Sequence, residues 1–457
     1  MEITVRNDKI TIEDATPELT AKLRQLLSYT DKTKQYQIKR MQRNRFNQDS
    51  RAIKTLENEV YGCLVEEDDG DLTIPSGFIH LIKDEIYADL RSDTGQDVAY
   101  PWNSKPHDLR HYQNDAIHLM EDEYRGLINL ATGLGKTLTA VYAIRQQRKR
   151  TLIVCPGRSI ADNFYKELCN AFGENKVGYY GGGKKKLRDI TVGIVGTVTN
   201  HLDVFQNHDL GLIIFDEVHH LAAHTFFSIV DELGDVGRIF GLTATDFRSD
   251  GKDIMITAGV GPVLIKRDLV WGVKNGWLAN PHFIIRNIRT TGREYRDDKL
   301  KNYKVHVLQS TTMFDQIAGD IAKMVSVGKR VLCLVDQVEH GKRLAEHLGL
   351  PFATGPDKKS TSYVEELNSG QLPGLIGTSK YLGEGTDTKL VDVLVMANFM
   401  AGKGPVIQSL GRGLRLYPGK TDLIVLDYVP TGSKMLVRHA TQRLSYYREI
   451  TNQIKVL

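Results

Sequence analysis

Leu130-Ala131-Thr132-Gly133-Leu134-Gly135-Lys136-Thr137 is the stretch that decides how this chain folds. The apolar run Gly126 to Leu130 precedes it, and Leu138 to Gln147 follows with apolar residues at helical spacing. A buried strand that turns through glycines straight into a helix predicts a parallel α/β sheet. The turn also has the residue types that wrap the phosphates of a nucleoside triphosphate. Gly133 and Gly135 let backbone amides point inward at an anion, Thr132 and Leu134 fill the same wall, and Lys136 reaches the outer phosphates. The Thr137 hydroxyl then holds Mg2+ beside the helix N-terminus. The strict pattern begins with Gly where this chain has Leu130. An ATP- or GTP-handling enzyme is the expectation.

A second apolar run, Leu210-Gly211-Leu212-Ile213-Ile214-Phe215, ends in Asp216-Glu217-Val218-His219-His220. Adjacent carboxylates at the end of a buried strand suit nucleotide hydrolysis: Asp216 binds Mg2+, and Glu217 orients and deprotonates the attacking water. A solvated loop can carry two acids as well. Their position after a phosphate loop favours the catalytic reading.

The 457 residues allow about three domains. The net charge of +4 gives no general attraction for a polyanion, so such a partner must be met by local basic patches. Cys63, Cys155, Cys169 and Cys333 are scattered without CxxC pairing, as expected of reduced, packed thiols in the cytoplasm. Neither a leader at Met1 nor a long apolar stretch suggests secretion or membrane spanning.

Residues 1–95 read as a small α+β domain, with strands at Ile3-Thr4-Val5 and Ile10-Thr11-Ile12 and a helix from Pro17 to Leu27. Arg40, Arg43 and Arg45 lie in a basic segment with Tyr36 and Phe46, which suits a nucleic-acid backbone or a solvated basic face equally. The acidic cluster at Glu66 to Asp71 reads as a hairpin turn. After a linker near Ser92 to His107, strand–helix alternation predicts a doubly wound unit over 96–268. Its strands are expected at Gly126–Leu130, Thr151–Cys155, Ile190–Gly196, Leu210–Phe215 and Arg238–Leu242. A less regular region, Lys266 to Thr312, leads into a second such unit over 269–457 with a C-terminal helix. Strands there are expected at Arg330–Val335, Leu375–Thr378, Val391–Ala397 and Thr421–Leu426. Gly181-Gly182-Gly183-Lys184-Lys185-Lys186 reads either as backbone contacts to nucleic acid or as a flexible solvated loop.

Between Leu109 and Arg415 these blocks occur in the order found in superfamily two helicases and translocases, and the chain resembles a DExH member of that superfamily. The resemblance implies two tandem RecA-like parallel-sheet motor domains behind the small N-terminal domain, with ATP and Mg2+ as cofactors. Leu109-Arg110-His111-Tyr112-Gln113 is similar to the motif whose Gln reads adenine, here Gln113. Val154-Cys155-Pro156-Gly157-Arg158 and Gly196-Thr197 resemble strand-contacting blocks, which makes Pro156, Arg158 and Thr197 phosphate contacts. Gly241-Leu242-Thr243-Ala244-Thr245 resembles the coupling motif, with His219, Thr243 and Thr245 linking hydrolysis to the nucleic-acid path. Thr378 and Gly383-Glu384-Gly385-Thr386-Asp387 resemble a block touching nucleic acid through Thr378 and nucleotide through Gly385 and Asp387. Gln408-Ser409-Leu410-Gly411-Arg412-Gly413-Leu414-Arg415 matches QxxGRxxR. On one helix Gln408, Arg412 and Arg415 would share a face, where guanidinium groups could stabilise transition-state charge.

DEVHH in place of DEAD argues against the RNA-unwinding DEAD-box group. Asn275-Gly276-Trp277-Leu278-Ala279-Asn280-Pro281 resembles the restriction-translocase and XPB-like branch, and Leu72 to Ile79 resembles a segment of UvsW-type branch-migration helicases. That resemblance implies a phage-encoded motor in the infected bacterial cytoplasm. It would act on double-stranded and branched DNA without sequence preference, as a monomer working with single-strand-binding or recombination proteins. The alternatives are an RNA or RNA–DNA hybrid helicase, or a scaffold that binds junctions without turnover.

Overall fold

The computed structural model describes residues 1–29, 61–62, 64–66, 70–82, 88–220, 223–244, 253–295, 298–382, 388–399 and 401–457. Arg40, Arg43, Arg45, Thr245, Gly385 and Asp387 lie outside the described residues. Two compact units are present: Met1–Leu130 with Gly135–Lys266, and Ala131–Leu134 with Arg267–Leu457.

Unit 1 begins with a five-stranded sheet built from β1 (Glu2–Val5), β2 (Lys9–Glu13), β3 (Val65–Glu66), β4 (Leu72–Pro75) and β5 (Ala88–Asp89), in the order β3-β4-β2-β1-β5. Helix α1 (Pro17–Leu26) starts at Thr16, whose side chain accepts from Leu19 N–H, and Pro17 at its first position needs no donor. Alternation puts Ile3, Val5, Ile10, Ile12, Leu72 and Ile74 on one buried face. Ala258 of the following α/β region joins the same cluster. Gly77 shows how close that packing is, because a Cβ there would stand 2.1 Å from Thr257 O.

The second sheet of unit 1 has eight strands: β6 (Arg125–Leu130), β7 (Thr151–Cys155), β8 (Val177–Gly181), β9 (Lys184–Lys186), β10 (Ile190–Ile194), β11 (Leu212–Phe215), β12 (Arg238–Thr243) and β13 (Val263–Arg267). Their order is β9-β8-β10-β7-β11-β12-β6-β13. β8, β10, β7, β11, β12 and β6 run parallel, and β9 turns back antiparallel on β8. Helices α2 (His111–Asp122), α3 (Lys136–Gln147), α4 (Arg158–Phe172), α5 (Val195–Thr199), α6 (Ala223–Leu233) and α7 (Asp253–Val260) connect them. β6 is buried at all six positions, which requires helices on both faces. At its head Arg125 is 6% exposed and donates to the carbonyls of Asn7, Gly234 and Gly259, so one guanidinium ties the N-terminal sheet to the larger one.

Two expectations change here. The strand expected to reach Gly196 ends at Ile194, and Val195–Thr199 is helical. Gly181 to Lys186 is a hairpin rather than a flexible loop. Gly181 pairs with Lys184, and the two-residue turn Gly182–Gly183 has φ of +55° and +88°. A two-residue hairpin turn of that hand needs positive φ at both positions, which glycine adopts without strain.

Unit 2 holds seven parallel strands: β14 (Asn280–Ile288), β15 (Val331–Val335), β16 (Phe352–Ala353), β17 (Gly374–Thr378), β18 (Val393–Ala397), β19 (Asp422–Pro430) and β20 (Ile454–Val456). Their order is β16-β17-β15-β18-β19-β14-β20, with parallel pairing throughout. Helices α8 (Thr311–Ser326), α9 (Val338–Leu348), α10 (Ser360–Ser369), α11 (Lys403–Gly413) and α12 (Lys434–Ile450) pack around them. β14 falls in the stretch expected to be less regular, and β20 adds a strand after the expected C-terminal helix. Nine-residue β14 alternates buried and partly exposed positions because β19 and β20 flank it.

A buried ion pair fastens α12 to this sheet. Arg443 Nε and Nη2 donate to Asp427 Oδ2 and Oδ1 at 2.8 and 2.9 Å, and Tyr447 OH donates to Oδ2 at 2.9 Å. The Arg443 and Asp427 side chains are 1% and 2% exposed. Removing one partner strands the other charge in a dry site. Asp427→Leu should therefore cost about 3–5 kcal/mol. Urea unfolding of this variant checks it, and a loss below about 1 kcal/mol would show that the pair contributes little.

Candidate active site

The phosphate loop takes the turn expected of it. Gly133 and Gly135 have φ of +91° and +84°, and Gly135 caps α3 in the left-handed conformation. The left-handed backbone favours glycine at Gly135, and a Cβ there would stand 2.5 Å from Gln113 Nε2, displacing that amide. Gln113, 2% exposed, accepts from Arg110 N–H through Oε1 and donates through Nε2 to Gly135 O at 3.3 Å. The residue expected at adenine thus also braces the loop's last glycine.

Lys136 opens α3, with Nζ 3.2 Å from Glu217 Oε1. Their side chains are 11% and 17% exposed, so solvent screens the pair little. Glu217 has φ of +45°, a left-handed conformation that a non-glycine residue adopts at a cost of about 1–3 kcal/mol. Strain of this kind gathers where a side chain must be aimed. Beside it, Asp216 is 5% exposed, its N–H donates to Val154 O at 2.9 Å, and its Oδ1 has no partner among the described residues.

A buried, unpartnered carboxylate oxygen near the start of α3 fits a divalent cation. Among the described residues no group of three or more His, Cys, Asp or Glu could hold a metal by itself. The cation that fits is one carrying much of its coordination from phosphate and water, which describes Mg2+. Asp216 and Thr137 are the residues that could hold it. Burial, then the charge of Glu217, pushes the Asp216 carboxyl up to about 7. Below that pH the carboxyl holds a proton that must leave before a cation binds. Apparent Mg2+-nucleotide affinity should fall roughly tenfold per pH unit below about 7 and level off above it, with proton release on binding near neutrality. Calorimetry in buffers of different ionisation enthalpy reads both, and affinity indifferent to pH would contradict this assignment.

From the acids, contacts run on to the coupling block. His219 Nδ1 lies 3.5 Å from Glu217 Oε2 and 2.7 Å from Thr243 Oγ1. Thr243, 1% exposed, ends β12 immediately before Ala244. Three of the residues expected to catalyse or couple therefore form one chain: Glu217, His219, Thr243. Thr243→Val removes its last link. The ratio of nucleic-acid-stimulated to basal turnover should fall about 5- to 150-fold, the range of a 1–3 kcal/mol coupling. Steady-state hydrolysis with and without DNA measures it, and an unchanged ratio would leave the hydroxyl a packing role only.

Of the expected strand-contacting residues, Arg158 is exposed at the start of α4, Thr197 is partly exposed in α5, and Pro156 precedes α4. In unit 2, Thr378 is 8% exposed at the end of β17. Gln408 and Arg412 lie on α11, at 9% and 8% exposure. The helix stops at Gly413, so Arg415 does not share their helical face as expected. Leu414 O accepts from Ala279 N–H, and Pro418 disfavours helix at Tyr417. Within unit 2 a Cβ on Gly411 would meet Thr132 Cβ at 2.5 Å, and one on Gly133 would meet Arg415 Cγ at 3.3 Å. Sequence reasoning missed the Gln113 brace and the pairing of Lys136 with Glu217, which only the folded chain brings together.

Residues 106–248, which span the loop, the acids and Thr243, match the family described as Type III restriction enzyme, res subunit. The DNA 3′-5′ helicase XPB of Mycobacterium tuberculosis is 31% identical over 324 residues, covering 67% of this chain and 58% of that protein. Saccharomyces cerevisiae Dbp5 bound to RNA and ADP BeF3 superposes on 76% of this chain and 89% of its own, with a TM-score of 0.56 at 12% identity. The crystal structure of bacteriophage T4 UvsW aligns over 100% of this chain and 99% of its own, with a TM-score of 0.42 at 17% identity. The chain is thus similar over about two thirds of its length to DNA 3′-5′ helicases, and its α/β sheets share the fold of Dbp5. It spans 53%, 55% and 57% of the length of three curated relatives that it matches over about 70% of its own residues.

Proposed function

We propose that this chain is an ATP-dependent motor that moves along double-stranded DNA and remodels branched forms of it. Its tasks would be branch migration of four-way junctions, fork regression and strand displacement. The observation that carries the reading is the Lys136–Glu217 pair, with Glu217 at a φ of +45°, beside Asp216 Oδ1, which has no partner among the described residues. In this reading Gly133, Gly135 and Lys136 hold the triphosphate, while Gln113 serves the adenine and Thr137 and Asp216 the Mg2+. Glu217 takes the proton from the attacking water, and Gln408, Arg412 and Arg415 stabilise charge on the transferred phosphoryl group. Bound Mg2+ would neutralise phosphate charge and polarise the terminal group.

His219 and Thr243 pass the state of Glu217 to the end of β12. Pro156, Arg158, Thr197 and Thr378 contact phosphates without reading bases, as befits a translocase. Residues 1–95 would serve as the DNA-holding domain, with motor domains at 96–268 and 269–457. No helix among the described residues is long and apolar enough to cross a membrane.

Comparing ATPase stimulation by plain duplex, forked DNA and structured RNA tests the substrate class. Forked or duplex DNA should stimulate most, and activation by RNA alone would overturn the DNA reading.

A further inference from the structure

The β8–β9 hairpin is an ordered, cationic edge of unit 1 that the nucleotide site does not use. Lys184, Lys185 and Lys186 are all exposed on β9, the outermost strand of the eight-stranded sheet. Successive side chains of a strand point to opposite faces, so Lys185 faces away from Lys184 and Lys186. Lys185 Nζ lies 2.7 Å from His201 Nε2, and His201 Nδ1 lies 2.9 Å from Thr197 O. Since a lysine ammonium only donates, Nε2 accepts and Nδ1–H donates to Thr197 O. His201 thus links Lys185 to the Thr197 carbonyl, with two ammonium hydrogens left to offer. On the other face, Lys184 Nζ sits 5.3 Å from the Tyr179 ring centroid. At the turn, Arg158 Cζ lies 3.6 Å from where a Cβ on Gly182 would stand. Asp162 faces the same region, 3.7 Å from Arg158 and hydrogen bonded to Tyr179 OH.

The hairpin thus touches both blocks given phosphate-contacting roles above, Arg158 at its turn and the Thr197 helix along its strand. We propose that the β8–β9 hairpin is a further nucleic-acid-binding element, in which Lys185, on the face of the strand that meets His201, contacts a phosphodiester and extends the Thr197 contact. The inference rests on the helicase reading and adds to it a phosphate-binding surface. Charge alone also keeps edge strands from pairing with other chains, an explanation that needs no ligand. It gives no reason for a lysine held by the histidine that also bonds Thr197 O, whereas a phosphate contact there does.

The test measures binding of the full chain to a plain DNA duplex across a salt series, with light scattering to follow association. Each phosphate neutralised contributes about −0.9 to the slope of log K against log salt. Replacing Lys185 with Thr, which keeps strand propensity, should flatten the slope by about one and weaken binding. Replacing it with Arg should keep the slope. Near-ultraviolet circular dichroism of both variants checks the fold, and the Arg variant keeps the test sharp if the Thr variant is destabilised. A Thr variant that binds with the wild-type slope, whether or not it aggregates, overturns the hairpin's role while leaving the helicase reading in place. Wild-type protein that binds no nucleic acid overturns both.

Discussion

Glu217→Gln should lower ATP turnover by about 10²–10⁴-fold, the range associated with losing a general base, while ATP still binds. The side chain keeps its size and an oxygen near Lys136, but an amide cannot take a proton from water. The native carboxylate already sits 3.2 Å from Lys136 Nζ and 3.5 Å from His219 Nδ1, so the substitution also breaks the link from hydrolysis to Thr243. Binding of a fluorescent ATP analogue and phosphate release measured on one preparation separate the two effects. Turnover within about tenfold of wild type would remove Glu217 from the role of base.

Arg412→Ala should reduce the rate of the chemical step by about 10³–10⁵-fold, as for arginine fingers in other nucleotide hydrolases. Arg412→Lys should fail nearly as badly, because a flexible ammonium does not reproduce a planar fork of donors. Arg412 is 8% exposed on α11, so thermal unfolding must accompany the kinetics. Single-turnover hydrolysis at saturating ATP isolates the step. Full recovery with lysine would mean that a local positive charge suffices and that the guanidinium geometry is not used.

The glycine turn, the apolar strands ahead of Lys136 and Asp216, and the order of the helicase blocks were legible because each reflects a local requirement of backbone or burial. Thr151–Cys155 was located to the residue, since a strand buried on both faces has to be continuously apolar. β14 was not, because Asn280-Pro281-His282 and Arg286-Asn287 interrupt its apolar residues, and its buried positions depend on neighbours from the far end of the chain. The end of α11 was misjudged for a similar reason. Leu414 O is taken by Ala279, a partner 135 residues earlier that spacing within the motif cannot reveal. In the site, residue types were readable, whereas the Glu217 backbone strain and the His219 bridge to Thr243 exist only once β11 and β12 lie side by side.

The most direct measurement offers the purified chain a four-way junction, a fork and a simple tailed duplex in parallel, each with ATP and with a non-hydrolysable analogue. The proposed function predicts that the junction and fork are converted to separated or regressed products only when ATP is hydrolysed, faster than the tailed duplex. Rearrangement that proceeds equally with the analogue, or ATP turnover that no DNA stimulates, would contradict it.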